Sequence, residues 1–270
     1  MEFVKTLLLC FLQTMLYTLI VPVACGLLIE LCYKLCFAVM GPRVGLVFWR
    51  VTSFVGTPLH ECGHALMCFL FCHHIEKVRL FHSKEGTAMV QHTYNPRNPY
   101  AVFGNLWISI GPIIIGLGVI VGLLSLGYPE SLRSYGDVLG GVLNGGTVGE
   151  NILAFLKGLL TEQTRPVWVR ILCVIGMFSM ALHVRLSGAD IRGVLRGLPI
   201  FAILAALVSL VMTLIGGQVL GGYTDGLQKT ALLIVTLFGL ILLFALVQLV
   251  IASVYRLLYT ILIGHTARNQ

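Results

Sequence analysis

The stretch Val51–Cys72, VTSFVGTPLHECGHALMCFLFC, places three ionisable side chains inside an otherwise apolar run. They form the pattern His60-Glu61-x-x-His64. At 3.6 residues per turn the two histidines lie on one helix face, where their imidazoles can bind one metal ion. Ionisable side chains in an apolar span are costly unless they have a partner or a function. The alternative is a polar helix face that packs against a neighbouring span without a metal.

The chain on both sides of this stretch is strongly apolar. Hydrophobic residues make up 57% of the 270 positions and charged residues 11%, with a net charge of +7. Soluble domains carry about 25% charged residues. The composition therefore excludes a soluble enzyme, a disordered chain and a nucleic-acid-binding domain. The basic residues are scattered between apolar runs, which is typical of anchors at a membrane surface.

An all-α polytopic membrane protein with about six transmembrane helices is the predicted fold class. A helix needs about 20 apolar residues to cross the hydrocarbon core. Six stretches qualify, and the chain 1–270 is predicted as one membrane-embedded domain. The six spans are Leu7–Tyr33, Val51–Cys72, Ala101–Gly127, Val167–Leu186, Leu198–Gly222 and Ala231–Ile261.

Topology and location follow from the same pattern. The short apolar piece Leu35–Phe48, interrupted at Gly41-Pro42-Arg43, is predicted as a re-entrant or interfacial segment. The distribution of Lys and Arg favours cytoplasmic termini. An integral protein of the cell membrane is expected.

Two connections between spans carry predicted structure. The alternating runs Lys77–Phe81 and Thr87–Tyr94 predict a small β-hairpin after the His-Glu-x-x-His helix. Such a hairpin could pair with an extended substrate by strand addition, or it could merely cap the bundle. In the glycine-rich connection Tyr128–Arg165, the apolar spacing of Asn151–Leu160 predicts a short interfacial helix.

The chemistry of the motif points to hydrolysis. A zinc ion on His60 and His64 lowers the pKa of a bound water to about 7, and Glu61 is then placed to serve as general base. The preceding Gly56-Thr57-Pro58 predicts either a helix that restarts at Pro58 or a simple proline kink.

The sequence resembles the site-2 proteases, a family of membrane-embedded zinc metalloproteases. His60-Glu61-x-x-His64 lies on the second span, Ile110-Gly111-Pro112 on the third is like the family's Gly-Pro element, and Asp190 follows the fourth. The resemblance implies an intramembrane endopeptidase with one Zn²⁺ per chain and a membrane protein or peptide as substrate. The family's usual third-ligand signature, Asn-x-x-Pro-x-Pro-x-Leu-Asp-Gly, and a PDZ-like insertion are absent.

A catalytic zinc normally takes three protein ligands and a water. The resemblance implies Asp190 as the third ligand, and Asp137 and Asp225 lie in glycine-rich loops instead. Ser187-x-x-Asp190 also fits a capping box that opens a helix. His183 is the second candidate: a ligand, a partner that orients a ligand, an oxyanion donor, or a packed histidine bonded to a carbonyl.

The other histidines and cysteines are given simpler roles. His73 and His74, which follow the second span, are interpreted as interfacial, and His82 and His92 of the hairpin as solvated. Cys62 and Cys68 of the motif helix are interpreted as packing residues.

Two other functions compete with the endopeptidase. An ion transporter or channel would use the histidines for an ion in transit, but the inverted repeats common in that class are not evident. A catalytically silent scaffold would keep a structural zinc, although it has no use for a general base such as Glu61. The sequence indicates no particular substrate, cleavage position or oligomeric state.

Overall fold

Long helices form most of the chain, as expected from its extended apolar runs. The computed structural model describes residues 1–81, 87–143, 155 and 157–268. A π-helical turn, Leu16–Ile20, joins the first two helices. The helices are α1 (Glu2–Met15), α2 (Val21–Leu70), α3 (Pro99–Gly127), α4 (Pro129–Leu143), α5 (Val167–Ala181), α6 (Gly188–Ile215) and α7 (Gly217–Arg268). The predicted all-α polytopic class is confirmed.

The described residues contain four helical runs long and apolar enough to cross a membrane, so six spans are not confirmed. The four runs are Glu2–Gly41, Pro99–Gly127, Gly188–Ile215 and Gly217–Ile261. The other two predicted spans carry the candidate site. Val51–Cys72 is helical to Leu70, but its ionisable motif lowers its hydropathy. In Val167–Leu186 the helix ends at Ala181; its 15 residues reach about 22 Å, less than the core thickness of about 30 Å.

A sharp bend divides α2 at Gly41. Its φ of 73° and ψ of 169° are accessible to glycine but not to residues with a Cβ. Residues 35–48 are therefore helical on both sides of a bend within α2. The predicted restart at Pro58 is wrong, since Gly41 is the one non-helical position inside α2.

A second glycine break separates α6 from α7. Gly216 and Gly217 have φ of 66° and 53°, so the helix cannot continue through them. The predicted span Leu198–Gly222 therefore begins too late and ends too late. The structure starts α6 at Gly188, which brings its first turn to the candidate site.

The predicted β-hairpin is confirmed. Strand β1 (His74–Arg79) pairs antiparallel with β2 (Met89–Thr93), from His74 opposite Thr93 to Arg79 opposite Met89. Its turn, residues 82–86, lies outside the described residues.

The Tyr128–Arg165 connection differs from the prediction. Half of the predicted interfacial helix, residues 151–154 and 156, lies outside the described residues, although 157–161 are helical. The glycine-rich start was predicted as a loop and instead forms α4. Glu162 stabilises this helix, because its carboxylate accepts hydrogen bonds from the first-turn amides of Glu130 and Ser131 at 3.0 and 2.8 Å.

Helix α3 lies at the centre of the bundle and contacts α2, α5 and α6. Glycines of α6 make the last contact close: a Cβ on Gly197 would lie 2.6 Å from Leu106 Cβ. Small residues let membrane helices approach each other in this way. This packing fixes the first turn of α6, which carries Asp190, beside α3 and the second half of α2.

Candidate metal centre

Three predicted ligands converge between α2 and α6. His60 Nε2 lies 3.2 Å from His64 Nε2, which lies 3.4 Å from Asp190 Oδ1. One ligand atom from each residue falls within 4.8 Å of the others. Zinc–nitrogen and zinc–oxygen bonds of about 2.0–2.1 Å in a tetrahedron set ligand atoms about 3.3 Å apart. The measured separations fit that spacing.

The tautomer of both histidines follows from their outer partners. Each Nδ1 faces a backbone carbonyl, His60 that of His183 at 2.7 Å and His64 that of Ile108 at 2.8 Å. A carbonyl can only accept, so each neutral ring carries its proton on Nδ1. Two nitrogen lone pairs and a carboxylate oxygen therefore face one point with no proton between them. Such a set of acceptors suits a cation.

Pro112 provides the carbonyl that holds His64. Proline has no N–H, so Pro112 cannot bond the carbonyl of Ile108 four residues earlier in α3. That carbonyl remains available for the imidazole. The Gly-Pro element of the third span therefore has a physical role in orienting a predicted metal ligand.

The same element lets α2 and α3 approach each other closely. A Cβ on Gly63 would lie 2.7 Å from Pro112 Cα, and one on Gly111 would lie 2.6 Å from the Gly63 carbonyl oxygen. Gly63 sits between the two histidines in sequence. Its lack of a side chain is what brings the Ile108 carbonyl within reach of His64.

The carbonyl that holds His60 comes from a buried non-helical segment, residues 182–187, between α5 and α6. Backbone without helical bonds is tolerated at membrane depth where protein buries it or where it lines a cavity. Arg185 ties this segment to α2 through an ion pair with Glu30 and by lying 4.1 Å over the Tyr33 ring.

Asp190 meets both of the roles considered for it. Its Oδ2 accepts from the Ser187 amide at 2.7 Å, and its own amide donates to Ser187 Oγ at 3.3 Å, which completes a capping box at the start of α6. Its Oδ1 is the oxygen that faces His64. The cap thus holds the carboxylate with one oxygen directed at the candidate metal position.

Glu61 lies beside this cluster on a cavity of about 540 Å³. Its side chain is buried, and the backbone of Val90 in β2 lies close to its carboxylate. The cavity is also lined by Met89 and Val90 and by three arginines, Arg185, Arg192 and Arg196. Its position next to the ligands suits a group that takes a proton from a metal-activated water.

His183 does not join the three converging residues. Its Nδ1 donates to the Ser179 carbonyl at 2.7 Å, and its ring stacks on Trp49 with centroids 4.5 Å apart. His183 lies beyond the end of α5 at Ala181, so it does not share a helix with Asp190. Its backbone carbonyl, rather than its ring, contacts a predicted ligand.

The sequence did not predict several features of the site. Backbone groups, here the carbonyls of Ile108 and His183 and the amide of Val90, have no signature of their own. His73 was predicted at the interface and is buried, with 6% of its surface exposed, and His92, predicted as solvated, lines the cavity. His82 lies outside the described residues.

A comparison with known protein families agrees with this geometry. Residues 29–135 match the family model described as Peptidase M50B-like, a segment that contains His60-Glu61-x-x-His64 and the Gly-Pro element but not Asp190. No curated protein and no solved structure matches the chain significantly. The resemblance to a site-2 protease-like family noted from the sequence is thereby confirmed for that segment, and the four apolar helical runs support an integral membrane protein.

Proposed function

We propose that the protein is an intramembrane zinc endopeptidase, with His60, His64 and Asp190 as metal ligands and Glu61 as general base. The observation that carries the proposal is the convergence of two unprotonated imidazole nitrogens and a carboxylate oxygen at tetrahedral spacing. The peptidase family match supports the reaction class.

Zinc held by these residues would supply a water of lowered pKa and polarise the substrate carbonyl. The protein's own groups do the rest. Glu61 accepts the proton of the attacking water and passes it to the leaving amine, and the backbone of Val90 in β2 lies next to its carboxylate.

We propose a membrane protein or peptide as substrate, bound as an extended strand along β2. A helical peptide hides its carbonyls in hydrogen bonds, so the segment to be cut must be extended. In the described residues β2 pairs only with β1, and Met89 and Val90 line the cavity beside Glu61. A peptide paired with β2 by strand addition would pass the candidate metal position.

The test expresses wild type and Glu61→Gln in cells and compares the protein fragments found in the two membrane fractions. We expect a fragment that depends on Glu61, together with unchanged zinc content in the purified variant, because the amide keeps the shape and cannot accept a proton. Glu76→Gln, at an exposed position of β1, is the matched control and should cut like wild type.

Two outcomes would overturn the proposal. Equal fragment patterns for wild type and Glu61→Gln, with zinc retained, would favour the silent scaffold. The second outcome is that wild type loses zinc as readily as His60→Ala does. That result would mean that these residues do not retain zinc, and it would favour a transporter or channel.

A further inference from the structure

A second group of metal-ligating side chains lies next to the candidate catalytic centre. Cys68 belongs to the last turn of α2, His73 follows that helix, and His92 lies in β2. One ligand atom from each of the three lies within 4.8 Å of the others. None of these residues takes part in the chemistry proposed above.

The hydrogen bonds of His73 determine which of its nitrogens can bind a metal. Its Nε2 faces the Ala101 carbonyl at 2.8 Å and therefore carries the proton of the neutral ring. Its Nδ1 then presents a lone pair, 2.9 Å from Nδ1 of His92. The tautomer is fixed by a backbone partner, as it is for ligating histidines in known metal sites.

Burial makes this group unlike a surface histidine cluster. Cys68 is fully buried and His73 is 6% exposed, while His92 reaches the cavity. The Tyr94 ring stacks on His73 at a centroid distance of 4.8 Å and covers its outer face. The three ligands are thus held by two elements, α2 and the hairpin.

We propose that Cys68, His73 and His92 bind a thiophilic divalent cation, of which zinc is the best match, at a site separate from His60, His64 and Asp190. Zinc binds both thiolate and imidazole ligands, and a water would complete a tetrahedron around these three residues. Binding replaces the Cys68 S–H bond by an S–metal bond and releases that proton to water.

This second cation would fix the hairpin to the C-terminal end of α2. His92 follows Val90 by two residues on β2, and Val90 lines the same cavity as Glu61. A bond from His92 to a cation held by Cys68 and His73 therefore positions the strand that faces the cavity. This positioning role rests on the proposed function; the cation site itself does not.

The test uses the full chain in detergent and measures zinc per chain after dialysis against low zinc. We expect two ions in wild type, one in His60→Ala/His64→Ala, and none when Cys68→Ser is added to that double variant. Cys72→Ser is the matched control, because Cys72 is exposed at the end of the same helix, and it should keep one ion in that background.

Cobalt substitution provides a second measurement that needs no change at Cys68. Cobalt bound at the proposed site should give a thiolate-to-cobalt charge-transfer band in the His60→Ala/His64→Ala background. Absence of the band, or zinc retention unaffected by Cys68→Ser, would overturn the proposal and leave a hydrogen-bonded histidine pair. If Cys68→Ser fails to fold, the cobalt band decides. Loss of the catalytic ion alone would contradict only the proposed function.

Discussion

Gly63→Ala is the substitution that most directly tests how the metal centre is built. The new Cβ would lie 2.7 Å from both Cα and N of Pro112, which are backbone atoms and cannot rotate away. Ordinary contact begins near 3.4 Å, so α2 and α3 must separate by about 0.7 Å. The bond between His64 Nδ1 and the Ile108 carbonyl, now 2.8 Å, would lengthen to about 3.5 Å, outside hydrogen-bond range.

The expected loss can be stated for two properties. Removing the outer partner of a ligating histidine costs about 10–100-fold in metal affinity. Overpacking of this kind costs about 1–3 kcal/mol of stability.

Zinc affinity is measured by competition with a chromophoric chelator, and stability by thermal unfolding in detergent. The control is Gly122→Ala, a glycine of α3 whose added Cβ would meet nothing within 4 Å. Wild-type zinc affinity in Gly63→Ala would refute the view that helix approach at this glycine orients His64.

Three further outcomes are expected. Pro112→Ala restores an N–H that competes for the freed carbonyl, so zinc affinity should fall about tenfold while the helix becomes straighter; unchanged affinity by chelator competition would contradict this. Asp190→Asn should weaken zinc binding at least tenfold, whereas Ser187→Ala, which removes only the cap hydroxyl, should weaken it less; equal affinities would assign Asp190 to capping alone. Burial raises the pKa of Glu162. Hydrogen bonds from Ser131, Thr164 and two backbone amides lower this pKa by a larger amount, so the net pKa lies below the ordinary value of 4.5. Its stabilising contribution is therefore complete above pH 4.5 and lost as the pH falls through the folded-state pKa. Glu162→Gln should lower the unfolding midpoint at pH 7, and the difference from wild type should shrink as the pH falls below 4.5.

The fold class and the hairpin could be predicted from sequence because they depend on patterns within one segment. A continuous apolar run or an alternating strand carries its own signal. Two predicted spans are not among the four long apolar runs: Val51–Cys72, which contains His60, Glu61 and His64, and Val167–Leu186, which contains the carbonyl that holds His60. Ionisable residues reduce the hydropathy of the first, and the non-helical segment after Ala181 shortens the second.

The bends and breaks were located only in part: the interruption at Gly41 was predicted, whereas the break at Gly216 fell inside a predicted span. Gly41 and Gly216 end helical runs, whereas Gly56 and Pro58 do not, and all four lie in apolar surroundings. What distinguishes Gly56 is tertiary: a Cβ there would lie 2.5 Å from His183 Cγ. Sequence spacing cannot separate a glycine required for its φ from one required for a close contact.

The site residues also divide into those that one segment of sequence predicts and those that depend on tertiary packing. His60, Glu61 and His64 share one helix turn, so their spacing alone predicts a common ion. The groups that orient them are backbone carbonyls on other elements, and the partners of Cys68 are distributed over two elements. Only packing brings these groups together.

The carbonyl that holds His60 has a consequence for the biosynthesis of the protein. It lies 123 residues further along the chain, and Asp190 follows it. A nascent chain that has inserted α2 and α3 possesses the two histidines and Glu61 but neither this carbonyl nor the carboxylate. Competent metal binding at the proposed centre must therefore wait until α5 and the start of α6 have left the ribosome and packed. This order of synthesis would prevent an incompletely synthesised chain from cleaving other membrane proteins at the site of insertion.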